Sequence, residues 1–98
     1  MNLNSRQRKY LRSQAHHLNP IAVIGKNGFT KGSAISIERA LVAHELIKVK
    51  FNECKDKKHE ISQEVVNKLN CSIVGIIGNI VIFYRLQNDK MDIKYILP

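Results

Sequence analysis

Four residues between an apolar run and a predicted helix start have the types and spacing that suit an anion. The GxxG loop, Gly25 to Gly28, follows the apolar run 21–24 and precedes Thr30, a residue that commonly begins helices. Glycines let a backbone approach a ligand closely, and a helix N-terminus offers N–H groups and a partial positive charge. The spacing therefore predicts a loop that contacts phosphate, with Lys26 as a mobile cation at its tip.

The charge of the chain favours the same class of ligand. Its 98 residues carry 16 Lys and Arg against 8 Asp and Glu, a net charge of +8. Cations cluster on the first predicted helix, and no acidic residue precedes Glu38. The cluster comprises Arg6, Arg8, Lys9 and Arg12, with His16 further along the same flank. Charged helix flanks are often only solvated, but this segregation of charge indicates a binding face for nucleic acid.

Composition sets the broad class of the protein. Hydrophobic residues make up 44% of the chain and are spread along it, which favours one folded domain over 1–98 rather than disorder. No apolar run reaches the roughly 18 residues that cross a bilayer, and no apolar signal segment follows the polar N-terminus. We therefore expect a soluble, cytoplasmic protein without membrane contact. Separately, we expect a monomer. Cys54 and Cys71 lack the spacing of a zinc site, and we expect free thiols, with Cys71 buried.

The loop depends on the two elements that precede it. A helix over about 5–17 is predicted, with Asn4 as its cap and Gln7 returning the hydrogen bond. Its apolar stripe comprises Leu11, Ala15 and Leu18. Pro20 follows the helix, and the run 21–24 is apolar at every position. Such a run predicts a strand buried on both faces, in the centre of a sheet.

The rest of the chain alternates between helical and strand patterns. In the run 46–51, Ile47, Val49 and Phe51 share one face, and Lys48 and Lys50 form a wet, basic face. These lysines are either a second contact for nucleic acid or the polar side of a strand. Gly78-Asn79 predicts a hairpin turn. The remaining elements are a helix over 30–43, a helix with the stripe Ile61, Val65 and Leu69 that ends at Asn70, and strands over 72–77 and 80–84.

The predicted fold class is α/β, with the order α-β-α-β-α-β-β and a mixed four-stranded sheet. Helical crossovers make the first three strands mainly parallel, and the last strand is added antiparallel. The core of the domain covers about 3–86. In the tail, 87–98, the segment 93–97 either adds a short strand or packs on an edge.

Candidates for catalysis or metal binding are weak. His16 and His17 diverge on a helix and lack a third ligand, so we expect one to pack inward and the other to extend the basic face. His44 and Glu45 could form an acid–base pair, but no nucleophile or second carboxylate occupies a partner position. The sequence therefore predicts no catalytic residue, no metal site and no cofactor.

Several separated segments of the chain closely resemble the CRM domain, the chloroplast RNA splicing and ribosome maturation domain, in its stand-alone bacterial YhbY-like form. They are Leu11 to Pro20, Ile24 to Gly28, Ala43 to Lys50, Ile77-Gly78 and Tyr84-Arg85. The resemblance implies a fold similar to the C-terminal domain of translation initiation factor three. It also implies RNA binding, in bacteria to precursors of the large ribosomal subunit, through the GxxG loop and the basic first helix. The segment 53–59 departs from the pattern because it is richer in lysine and polar residues.

Together with the resemblance, which implies ribosomal RNA as the ligand, these observations predict a non-catalytic RNA-binding protein. The candidate RNA-binding residues are Arg6, Arg8, Lys9, Arg12, His16, Gly25, Lys26, Asn27, Gly28 and Lys31. The alternative is a protein-interaction module that docks an acidic assembly partner on the same basic face. Binding to double-stranded DNA is less favoured because no helix-turn-helix pattern is present.

Overall fold

The computed structural model describes residues 2–89, 91 and 93–98. Its elements occur in the predicted order. They are α1 (Ser5–Ala15), β1 (Ala22–Ile24), α2 (Lys31–His44), β2 (Leu46–Phe51), a short 3-10 turn (Lys55–Lys57), α3 (Lys58–Leu69), β3 (Ser72–Ile77) and β4 (Ile80–Tyr84). The α/β fold class and the mixed four-stranded sheet are confirmed.

The sheet has the strand order β1-β2-β4-β3. β1 pairs with β2 in parallel, and β4 lies antiparallel between β2 and β3. β1, β2 and β3 therefore share one direction, as predicted. At the hairpin turn Gly78 has φ +58 while Asn79 keeps a negative φ, the pattern of a type II′ turn.

The central position predicted for β1 is wrong, because β1 is an edge strand. Ala22 and Ile24 are buried, but Val23 is 50% exposed and Ile21 is 42% exposed. An apolar run marks a central strand only when both faces of the strand are covered. Here the β3–β4 hairpin extends the sheet on the far side of β2, and the apolar cluster that contains α2 and α3 covers only one face of β1.

Two apolar clusters lie on opposite faces of the sheet. One packs α2 and α3 against Ile47, Val49 and Phe51. The other packs α1 against Leu46, Ile82 and Tyr84, together with the tail. We call the side of the second cluster the α1 face. The side chains of β2 therefore alternate between the two faces as predicted. The face that was predicted to be wet, however, is partly covered by α1.

Lys48 shows why that face is not fully hydrated. Its Nζ donates to the carbonyl oxygens of Leu18 at 2.9 Å and His16 at 3.3 Å, just beyond the end of α1. A lysine is a favourable partner for these carbonyl groups because a helix C-terminus carries partial negative charge. Lys48 thus stabilises the end of α1.

The start of α1 follows the prediction, but its end does not. Asn4 and Gln7 form the expected capping box. The helix stops at Ala15 rather than near His17, and both His16 and His17 are exposed. The prediction that one of them packs inward is wrong, because the two residues lie in a turn beyond the helix.

The tail adds no strand in the part that the structure describes. Instead Tyr95 and Leu97 pack against the α1 cluster. The backbone amides of Lys94 and Tyr95 donate to the carboxylate of Glu45 at 3.2 and 3.1 Å. Both cysteines are free, and Cys71 is buried, as predicted. Over the described residues no helix is long and apolar enough to span a bilayer.

Candidate nucleic-acid interface

The GxxG loop forms a tight exposed turn directly after β1. The Gly28 amide donates to the Gly25 carbonyl at 3.1 Å, which closes the turn. Lys26 and Asn27 lie at its tip and are exposed. Gly28 has φ +69, a conformation that residues with a Cβ adopt only at a cost in free energy. The fold itself therefore accounts for the glycine at position 28.

Gly25 has no comparable reason within the fold. Its φ lies outside the left-handed region, and a Cβ added there would meet no atom within 4 Å. A larger residue would therefore fit in the isolated protein. A glycine at such a position is useful when something from outside must approach the backbone closely.

Contacts with Asn52 and Cys54, which follow β2, hold the GxxG loop in place. The Cys54 Sγ lies 3.6 Å from the carbonyl oxygens of both Gly25 and Lys26. The Asn52 amide donates to the Ile24 carbonyl at 3.1 Å. The carbonyl oxygens of Gly25 and Lys26, which would repel a phosphate, are thus directed toward the Cys54 thiol.

The N-terminus of α2 adjoins the GxxG loop. Thr30 and Ser33 form a reciprocal capping box, in which each backbone N–H donates to the other side chain. Among the described residues, the N–H groups of Lys31 and Gly32 have no intramolecular acceptor. The first turn of α2 contains no acidic side chain. These donors and the helix dipole create a region of positive potential beside the loop.

A shallow cleft of about 370 Å³ connects the loop with α2. Its walls include the loop residues 25–28 and the hydroxyl-bearing residues Thr30, Ser33 and Ser36. None of the described residues that line it is acidic. Small residues, hydroxyl groups and a lysine side chain at the rim can accommodate a phosphate or sugar.

The candidate residues of α1 differ in exposure. Arg6, Lys9, Arg12 and His16 are exposed. Arg8 is half-buried and lines a cleft beside Ser72 at the start of β3. The Cδ of Arg12 lies 3.1 Å from the position that a Cβ on Gly75 would occupy, so its aliphatic stem packs on β3. Packing of this kind leaves the charged end free for solvent or a ligand.

The two halves of α1 lie over different parts of the sheet, and the second half is nearer the GxxG loop. β1 and β3 run in the same direction on opposite edges of the sheet. Arg8 lies near the start of β3, whereas the loop follows the end of β1, so they lie at opposite ends of the strands. Arg12 and the end of α1 lie further toward the loop, because Gly75 and Lys48 occupy the middle of their strands.

The candidate acid–base pair is not brought together. His44 is exposed at the end of α2, whereas Glu45 is fully buried and accepts the two tail amides. Sequence reasoning missed the structural role of Glu45, since a buried carboxylate cannot be recognised without knowing where the tail returns. Within the described residues, no three His, Cys, Asp or Glu side chains are grouped to hold a metal ion.

Comparison with known proteins identifies the family of the chain. The family model described as the CRS1/YhbY (CRM) domain matches residues 3–85. The chain belongs to this family. The match includes α1, the GxxG loop and the whole sheet.

Relatives of this CRM-domain protein cover nearly the same length. A Haemophilus influenzae protein named RNA-binding protein is 40% identical over 88 residues, which is 89% of each chain. A Bacillus subtilis protein named probable RNA-binding protein YqeI is 34% identical over 93 residues, covering 94% of this chain and 97% of its own. The solution structure of the hypothetical protein SAV1595 from Staphylococcus aureus matches with a TM-score of 0.81 and 33% identity, covering 99% of this chain and all of that one.

Proposed function

We propose that this CRM-domain protein binds RNA without catalysis, and that it contacts the RNA backbone through the GxxG loop and α1. The observation that carries the proposal is Gly25. It is exposed, and the fold does not require a glycine there. It lies beside the amides at the start of α2 that have no acceptor among the described residues. A close approach by a phosphate backbone gives both features a role.

Attraction between exposed cations and the phosphates of the RNA adds to the binding free energy. Lys26 and Lys31 are exposed on the loop side of α2, and Arg6, Lys9 and Arg12 are exposed on α1. These cations neutralise phosphates and release counterions, so affinity depends strongly on salt. Contacts of this kind position an RNA but do not specify its sequence.

The biological RNA that we propose is ribosomal RNA in precursors of the large subunit, bound by a cytoplasmic monomer. The support for ribosomal RNA is the likeness to the CRM domain alone. The names of the Haemophilus and Bacillus relatives support RNA binding in general. Crosslinking in a cell lysate, followed by sequencing of the attached RNA, tests this identity. Enrichment of precursor ribosomal RNA is the expected result, and enrichment of unrelated RNA alone would overturn it.

A salt titration tests the mechanism. If about five phosphates are neutralised, the slope of log affinity against log salt is roughly −3.5 to −4.5. Fluorescence anisotropy with a labelled ribosomal RNA fragment measures this slope. An affinity that does not change with salt would contradict the mechanism. If the protein bound an acidic protein partner and unlabelled ribosomal RNA did not displace that partner, the protein-interaction function would be favoured instead.

A further inference from the structure

One row of side chains across the sheet, beside the GxxG loop, is not covered by any helix among the described residues. Its members are Val23 on β1, Lys50 on β2, Ile80 on β4 and Ile77 on β3, and we call them the open row. Val23 pairs with Lys50, Lys50 with Ile80, and Ile80 with Ile77. Residues that pair directly across strands project from the same face of a sheet. The open row is therefore a continuous strip, about 14 Å from edge to edge.

The strip lies on the α1 face. Val49 and Phe51 belong to the cluster on the opposite side, so Lys50 between them projects toward α1. The preceding row on this face contains Lys48, Ile82 and Gly75. There Ile82 is buried, Arg12 packs on Gly75, and Lys48 reaches the carbonyls beyond α1. Coverage by α1 thus ends one row before the open row.

Two of the three aliphatic side chains of the open row are exposed to solvent. Ile77 is 60% exposed and Val23 is 50% exposed, and Ile80 is half-buried. Lys50 is exposed between them. A strip that combines exposed aliphatic side chains with a lysine is a candidate interaction site on a small domain.

The charges around the strip favour one occupant. Lys50 is within the row, and Arg12 is on the α1 side of it. Lys26, which follows β1, is at the border on the side of the GxxG loop. The row itself contains no acidic residue. A ligand that fits must therefore present apolar surfaces to the aliphatic side chains and negative charge to the three cations.

We propose that the open row binds the faces of unpaired nucleotides in the RNA whose backbone the GxxG loop holds; this inference rests on the proposed function. A single-stranded nucleotide offers an exposed flat base and a phosphate. In an RNA duplex the base faces are stacked inside the helix and cannot cover the row. We therefore expect the protein to bind single-stranded RNA with higher affinity than fully paired RNA.

A threonine double variant tests the proposal with little change in shape. Val23→Thr with Ile77→Thr keeps the β-branched side chains that strands favour but removes apolar surface. We expect affinity for a short single-stranded RNA to fall about tenfold, and affinity for the same sequence in a duplex to change less than about twofold. The control is Val42→Thr, a valine on α2 that is 58% exposed and outside the row.

The outcomes separate this inference from the proposed function. If the wild-type protein binds neither probe, the proposed function fails, and this inference falls with it. If it binds RNA but prefers the duplex, or if the double variant loses nothing or loses both probes equally, the open row is not a base-binding surface while RNA binding stands. Equal thermal stability of the three proteins shows that the changes in affinity are local.

A second measurement needs no variant. Ultraviolet crosslinking of the wild-type protein to single-stranded RNA, followed by mass spectrometry of the peptides, locates the bases. We expect crosslinked nucleotides on the peptides that carry Lys50 and Ile77. Crosslinks confined to α1 and the GxxG loop would overturn the proposal.

Discussion

Arg85 donates both ends of its guanidinium group to the carboxylate of Glu38, at 2.6 and 2.7 Å. The same Nη1 donates to the Leu69 carbonyl in the last turn of α3 at 3.0 Å. The pair therefore joins α2, α3 and the end of β4. Two-point contacts of this kind hold a defined orientation better than a single ion pair does. They fix α2, and with it the amides at its N-terminus, relative to the sheet.

The Glu38–Arg85 pair gives stability a specific dependence on pH. The hydrogen bond from Arg85 lowers the pKa of Glu38 below its ordinary value of 4.5. The stabilisation is thus complete above the ordinary pKa and is lost as pH falls through the lowered one. Glu38→Gln should cost about 1 kcal/mol or less at neutral pH, and the difference from wild type should disappear in acid. Urea denaturation at several pH values measures this.

Glu64 provides the control for that experiment. It is an exposed carboxylate on α3. Glu64→Gln should leave the pH profile of the free energy of unfolding close to that of wild type. A deficit of Glu38→Gln that persisted unchanged in acid would contradict the role of the pair.

The two glycines of the GxxG loop should respond differently to the same substitution. Gly28→Ala places a Cβ at φ +69 and should destabilise the domain by about 1 kcal/mol. Gly25→Ala has open space and an ordinary φ, so the free energy of unfolding should change by less than about 0.5 kcal/mol. RNA affinity should nevertheless fall with Gly25→Ala, because the new methyl group lies where the RNA backbone approaches.

Denaturation curves and anisotropy on the same two proteins separate these effects. If Gly25→Ala bound RNA as wild type does, the loop backbone would not be a contact surface.

Local patterns were sufficient to predict most of the elements. The alternation of 46–51 and the hairpin around Gly78-Asn79 depend on neighbouring residues, and both strands of the hairpin have the predicted bounds. Asn4 and Thr30 cap their helices because a capping side chain bonds within its own turn.

The errors arose where distant segments decide the outcome. The run 21–24 is apolar, but its position depends on where the β3–β4 hairpin joins the sheet, and that is a property of the whole topology. Lys48 looked like a solvated residue because nothing in its own strand shows that the end of α1 lies above it. Glu45 is buried by a tail about 50 residues further along the chain. In the candidate site, the loop could be recognised from spacing, but the open row could not, since it combines four strands.

The buried carboxylate of Glu45 should be important for attachment of the tail. Its two oxygens accept the amides of Lys94 and Tyr95. Glu45→Gln retains one acceptor oxygen and replaces the other with a donor, so one amide loses its partner. We expect a loss of about 1–3 kcal/mol in the free energy of unfolding. Faster proteolysis of the tail should accompany it, while the exposed neighbour variant His44→Gln should behave like wild type.

The two cysteines should differ in reactivity. Burial raises the pKa of the Cys71 thiol to about 11. At a pH near 8 roughly one such thiol in a thousand is a reactive thiolate, and the side chain is also inaccessible. The single-cysteine protein made by Cys54→Ser should therefore react with a thiol reagent only after unfolding. The protein made by Cys71→Ser retains the half-buried Cys54 and should react in the native state. Equal native-state rates would contradict the buried position of Cys71.

Charge reversal tests the proposed RNA-binding surface most directly. Lys26→Glu should weaken RNA binding and reduce the salt slope by about one, without unfolding the domain, because Lys26 is exposed. Lys68→Glu, an exposed site on α3, makes the same change in net charge and should have a smaller effect. Such a difference would show that position, and not total charge, determines affinity.

The arginines of α1 then measure how far the surface extends. Arg12→Glu should reduce affinity more than Arg8→Glu does, because Arg12 lies nearer the loop end of the sheet and Arg8 is half-buried at the opposite end. Combined with Lys26→Glu, the Arg12 substitution should have a nearly additive effect, as expected for separate phosphate contacts. Unchanged affinity in the triple variant with Lys26, Arg8 and Arg12 all reversed would exclude this surface, and the basic residues would then have to serve another partner.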